Sequence, residues 1–262
     1  MNTVLRNSLW LGFFGLVLLA WVFMYMMAMD MDVDLIGRPG DMGNRMRWMD
    51  PRMDMYMPMA SFGPLFVMWG AMMAAMMLPT MVPTLRSYED LMVSADGTRA
   101  GWIGVVLGYF IVWLAFAALL AAMQLALLFG GVVDMLGIPK SRWFAAGLLL
   151  AVGLFQFTRA KEVCHGVCHS PMTYFLGHWR AGFAGGLRMG LALGAFCVGC
   201  CWGFMLLGFA GGVMNLAWMG LATLFMVIEK LPQIGHYVTK PMGFALIIGA
   251  GVVAGWPLIA GG

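Results

Sequence analysis

Apolar residues along this chain gather into long runs separated by short polar stretches rather than alternating or recurring on one face. Read with a window of about 19 residues, the runs cover 9–27, 62–78, 102–129, 143–162, 186–209, 214–228 and 243–260. A helix needs about 20 apolar residues to cross a hydrocarbon core of about 30 Å. The pattern therefore predicts an all-α membrane protein, a polytopic bundle of six to seven transmembrane helices. Two runs are marginal. The fourth has only 15 clearly apolar residues and spans only if its helix continues through Gln156, Thr158, Arg159 and Lys161. The sixth is short enough to be tilted or re-entrant. No internal repeat is evident.

Polar stretches between the runs are too short for a second folded unit, so residues 1–262 read as one integral membrane domain with an extramembrane loop at about 28–60. The first run is long and is followed by no small-residue cleavage site, so it reads as a retained span. With seven crossings, nine of the fifteen Lys and Arg fall on the N-terminal side and six on the other. Positive charge concentrates on the cytoplasmic side, which predicts a multi-pass protein with its N-terminus in the cytoplasm.

Composition agrees: 62% of residues are hydrophobic and 10% charged, with a mean hydropathy of +0.87. Two counts add information. The 36 glycines suit closely approaching helix backbones. The 29 methionines have no such general reason, because Leu and Val fill lipid-facing space as well and lack a polarisable, metal-binding thioether.

All five cysteines lie in the second half of the chain. Cys197, Cys200 and Cys201 sit about 16 Å into the fifth run at about 1.5 Å per residue, close to its middle. Spacings of three and four place them on one helix face, a soft, thiolate-forming patch directed at one neighbour. Upstream, Cys164 and Cys168 form an i, i+4 pair interleaved with His165 and His169, and Lys161 precedes them. That concentration of thiol and imidazole suits copper or zinc, with copper preferred for the softer set. Two geometries remain open. In one, Cys164 and Cys168 end the fourth helix at the surface and make a separate site; in the other, residues 164–171 fold back and complete a sulfur cage with Cys197 and Cys200 or Cys201. Cys164-x-x-x-Cys168-His169 is also a widened form of the haem attachment spacing. Haem is disfavoured, because attachment takes place outside the cytoplasm and the predicted topology puts this stretch inside.

The 28–60 loop alternates Met and Asp, ending in Met53, Met55, Met57 and Met59. In an extended chain alternate residues share an edge, so four thioethers would line one side, a pattern selective for Cu(I). Within the later spans Asn215, Glu229 and Lys230 are expected to be buried and mutually satisfied, since unpaired polar groups are costly in a bilayer.

Phe155-Gln-Phe-Thr158, Lys161, Cys164-x-x-x-Cys168, Ser170-Pro171, Gly190-Leu-Ala-Leu-Gly194, Cys197-Val-Gly-Cys-Cys-Trp202, the stretch from Gly211 to Met219, Glu229-Lys230 and, upstream, Met76-Met-Leu-Pro79 resemble a bacterial family of predicted metal-binding integral membrane proteins, a domain of unknown function. The resemblance implies an inner-membrane helical bundle that binds metal, with a link to copper and no established reaction. His169 stands where that family commonly has arginine, and the Met/Asp loop is unusually rich.

Together these features predict a copper-handling inner-membrane protein that binds Cu(I) and imports it, transfers it, or delivers it to a membrane cuproenzyme or metallochaperone. Two alternatives belong to other classes: a non-enzymatic accessory subunit of a membrane complex, and a thiol redox protein. No nucleotide loop, no nucleophile with a base and no paired carboxylates occur, so the chain is expected not to be an enzyme. Nucleic acid is not an expected partner.

Overall fold

A computed structural model describes residues 3–47, 49, 60–92, 94–95, 97–231 and 234–259. Among these residues the fold is a helical bundle without a β-strand, its only extended pairings being two isolated bridges. In chain order the helices are α1 (Thr3–Asp30), α2 (Asp41–Arg47), α3 (Phe62–Met77), α4 (Val82–Met92), α5 (Arg99–Phe129), α6 (Arg142–Phe155), α7 (Arg159–His169), α8 (Pro171–His178), α9 (Gly182–Leu206), α10 (Gly208–Gly211), α11 (Leu216–Glu229) and α12 (Gly235–Ile259). Among the described residues, five helical stretches are long and apolar enough to cross a bilayer: Val4–Asp30, Phe62–Met92, Arg99–Phe129, Gly182–Gly211 and Tyr237–Gly255.

The two marginal runs behave differently from full crossings. α6 and α7 qualify only as a pair, bent by 66°. Gln156 caps α6, and Thr158 starts α7 by accepting a hydrogen bond from the Lys161 amide. A threonine cap with non-helical backbone ends helical continuity, so the fourth run does not continue straight as its composition allowed. α11 is a 14-residue apolar helix, short for a crossing.

At the centre, α5 and α9 lie together along their length. Glycines interlock them: a Cβ on Gly190 would lie 2.9 Å from the Val105 carbonyl carbon, and one on Gly104 would lie 2.9 Å from the Leu187 amide nitrogen. These glycines keep the two backbones at a separation that any side chain would forbid. α3 packs against α5 and α1, α7 against α9, and α12 against α6. Buried polar side chains tie the layers, as where Trp69 on α3 donates to Gln124 on α5 at 2.7 Å.

One end of the bundle contains an internal repeat that escaped the reading of the sequence. Val33-Asp-Leu-Ile-Gly-Arg-Pro39 after α1 and Val133-Asp-Met-Leu-Gly-Ile-Pro139 after α5 share the pattern V-D-x-x-G-x-P. Each closes an antiparallel bridge from its Val to its Pro. In each, the Asp side chain accepts from the backbone amides two and four residues on, and the Gly takes a positive φ of 78° or 72°. Both loops meet the turn after α10: a Cβ on Gly37 would lie 2.9 Å from Asn215, and one on Gly137 would lie 2.6 Å from Val213. Arg47 pairs with Asp134 at 2.6 Å across this end. At the opposite end Trp10 donates to Glu89 at 3.0 Å, and Trp179 to the Ala95 carbonyl at 2.6 Å.

Candidate metal centre

The bend after Gln156 decides the geometry of the thiols. Because α7 turns back onto α9, Cys168 is carried inward instead of ending at a surface. Cys168, Cys197 and Cys200 bring their sulfurs within 4.8 Å of one another, all three buried, and they form the one such group of three His, Cys, Asp or Glu ligands among the described residues. Cys200 Sγ lies 3.9 Å from Cys168 Sγ and 3.2 Å from Cys201 Sγ, so Cys201 adjoins the trio through Cys200. The arrangement is the folded-back one, with one helix supplying three sulfurs and another the fourth.

Cys164 sits one turn before Cys168 on the same face of α7. It is half-buried, its Sγ resting over Gly199, where an added Cβ would lie 2.8 Å away. It packs beside the trio rather than within it. His165 and His169 occupy the neighbouring face, their rings 5.3 Å apart. His165 Nε2 is within 2.9 Å of the Glu229 carbonyl, which engages that nitrogen away from the sulfurs. Neither imidazole joins the three-thiol group. Met53, Met55, Met57 and Met59 lie outside the described residues.

Two lysines flank the thiols, and their partners differ from the expected ones. Lys161 is 1% exposed and Glu229 1%. Lys161 Nζ reaches both carboxylate oxygens of Glu229, at 2.9 and 3.0 Å, and also donates to the Cys200 carbonyl at 2.9 Å. Thr239 on α12 donates to Glu229 at 2.9 Å. Lys230 does not pair with its neighbour Glu229. Its ammonium donates instead to Cys197 Sγ at 2.7 Å and to Thr80 Oγ1 at 2.9 Å. Adjacent helical residues diverge by about 100° and do not face each other, which is why these neighbours at the end of α11 reach partners on different helices. Asn215 stands apart from all of this. It caps α11, accepting from the Trp218 amide at 2.9 Å and donating to the Gly211 carbonyl at 3.2 Å, and it is only partly buried.

Two residues that carry no motif of their own complete the surroundings. Tyr109 on α5 places its hydroxyl 2.9 Å from Cys197 Sγ, and Thr80, just past α3, lies 3.2 Å from the same hydroxyl. Both are polar groups inside apolar stretches, and Tyr109 follows a glycine of the α5 contact face. Those two signals were present in the sequence. Cys197 thus faces an ammonium, a phenol and two fellow thiols in a bundle interior built mainly from apolar side chains. Such a set suits a soft monovalent cation held by sulfur, with a positive counter-charge for the thiolates.

Against known families, a model described as PpoB2, copper chaperone, matches residues 66–253. The chain belongs to the PpoB2 copper chaperone family. The matched stretch runs from within α3 to within α12 and includes all five cysteines with Lys161, Glu229, Lys230, Tyr109 and Thr80, whereas α1 and the Met/Asp loop lie before it. This copper chaperone family gives a coarse role, copper handling, to a chain whose three-thiol cluster has the chemistry for a soft ion. No curated protein and no solved structure matches the chain.

Proposed function

We propose that the protein is a membrane-embedded Cu(I) chaperone that takes the ion between Cys168, Cys197 and Cys200 and hands it to a copper-using partner, a membrane cuproenzyme or a second metallochaperone. The observation that carries this reading is the convergence of three buried thiols from two helices within 4.8 Å. Charge supports it. Lys161 and Glu229 neutralise each other, leaving Lys230 as the one cation among the described residues that hydrogen-bonds to the sulfurs. Two thiolates, one Cu(I) and one ammonium sum to zero, so a loaded centre with its third sulfur as a neutral thiol carries no net charge into the apolar interior. Loading replaces thiol protons with the ion, and unloading returns them.

The role is that of a carrier without a catalytic step, in a bacterial inner membrane with the N-terminus inside. A sulfur set with two helices as its source favours exchange: withdrawing the single α7 sulfur lowers the coordination number without disturbing the α9 pair. The test is Cu(I) binding by the purified full chain in competition with a chelator of known affinity. The wild type should hold copper through sulfur, and Cys168→Ala, Cys197→Ala and Cys200→Ala together should abolish that tight binding. A triple variant that competes as well as the wild type would refute the reading.

A further inference from the structure

We propose that Met72, Met76, Met205 and Met219 form a second Cu(I) site, a thioether station one to two helical turns from the thiol centre. These four side chains line a cavity of about 10 Å³ between α3, α9 and α11, bounded also by Phe204 and Trp218. About 10–15 Å³ is the room that one water-sized body requires. All four methionines are buried. No charged residue lines the space, and the Trp218 indole is already committed to the Leu207 carbonyl at 3.1 Å. Water entering would find no partner there, and apolar voids of this kind stay dry.

Packing alone accounts poorly for the arrangement. Methionine is the most adaptable of core fillers, and interiors close gaps of this size where they can. Four such side chains from three helices border the space instead and offer it neutral, soft donors, the ligand type that selects Cu(I) over zinc, magnesium or calcium. Thioethers lose no proton on binding, so the site holds the ion without the charge compensation that thiolates give, and therefore more weakly. An ion reaching it gains by moving on to the cysteines.

Position favours such a move. Met205 follows Cys201 by four residues on α9, the same face one turn away, a rise of about 6 Å. α11 carries Met219 near its start, and directly after its end comes Lys230, the partner of Cys197. The cavity lies toward the end of the bundle where the V-D-x-x-G-x-P loops gather, the end from which α3 begins. The Met53–Met59 stretch immediately precedes α3 in sequence.

This inference rests on the reading that the chain carries Cu(I), and the experiment separates the two. Full-length protein is titrated with Cu(I) against a competing chelator as wild type, as Met72→Leu/Met205→Leu/Met219→Leu, and as Cys168→Ser/Cys197→Ser/Cys200→Ser. The wild type should take up two equivalents, one tight and strengthening with rising pH, one weaker and independent of pH. The Leu variant, close to volume-conserving, should lose only the weaker equivalent, and the Ser variant only the tight one. Copper-edge X-ray absorption of selenomethionine-labelled, otherwise unaltered protein needs no substitution: at two equivalents it should show selenium neighbours around copper. A single equivalent in the wild type, two in the Leu variant, or copper without selenium neighbours overturns the second site and leaves the thiol centre standing. Loss of nothing in the Ser variant overturns the thiol centre instead.

Discussion

Replacing Lys230 with methionine removes the cation that hydrogen-bonds to Cys197 while keeping an unbranched side chain of similar length. At 2.7 Å from Cys197 Sγ, an ammonium and a thiolate attract by about 6 kcal/mol at an effective dielectric of about 20. Desolvation consumes much of this, and measured hydrogen bonds to charged groups contribute about 1.5–3 kcal/mol. At about 1.36 kcal/mol per factor of ten, Lys230→Met should weaken Cu(I) binding by about 10- to 150-fold. The cost should fall on the loaded state. Loading is what places two thiolates beside the ion, and Thr80 retains its bonds to the Met77 carbonyl and Tyr109 in the variant. Chelator competition at fixed pH gives the affinity, and unfolding of the metal-free protein in detergent gives the control. Binding within about threefold of the wild type, or an affinity loss that merely tracks a destabilised apo protein, would refute the counter-charge argument.

Lys161→Met should destabilise the protein by about 3–5 kcal/mol, because it strands the buried Glu229 carboxylate, and Lys161→Met/Glu229→Leu should recover most of that; denaturation followed by tryptophan fluorescence reads both. Gln124→Leu leaves the buried Trp69 indole N–H without its acceptor and should cost about 1–3 kcal/mol, whereas pairing it with Trp69→Phe removes the orphan and most of the loss. Gly190→Val drives a side chain into the Val105 backbone and should cost about 1–3 kcal/mol or more. By prising α5 from α9 it should also weaken Cu(I) binding through the Tyr109–Cys197 contact, a coupling that chelator competition detects.

Hydropathy made the long helices legible because bilayer thickness leaves few alternatives for a chain this apolar. Cys197, Cys200 and Cys201 were readable as one face because helical geometry fixes three- and four-residue spacings. Whether Cys168 joined them was not readable: the Thr158 cap marks where the helix breaks, but the angle after the break depends on what α7 packs against. The Glu229–Lys230 adjacency misled for a related reason: closeness along a helix is not closeness in space, and the true partners, Lys161 and Cys197, come from α7 and α9. Tyr109 and Thr80 looked like ordinary span residues until the fold turned their hydroxyls toward a thiol. The repeated V-D-x-x-G-x-P loops are only seven residues long and lie a hundred apart, too brief to stand out until their matching hydrogen bonds were seen.

The glycine seam joining α5 to α9 has a mechanical consequence. Two backbones locked at that distance behave as a single stiff pillar, so the spacing of Cys197, Cys200 and the Tyr109 hydroxyl is set by the pillar itself. The remaining sulfur, Cys168, rides on an arm that begins at a kink and is anchored by Lys161 and His165 to the α11 terminus. Any widening of the cluster must therefore come from the arm, and a docking partner that tugged on α7 would loosen copper's grip while leaving the rest of its cradle intact.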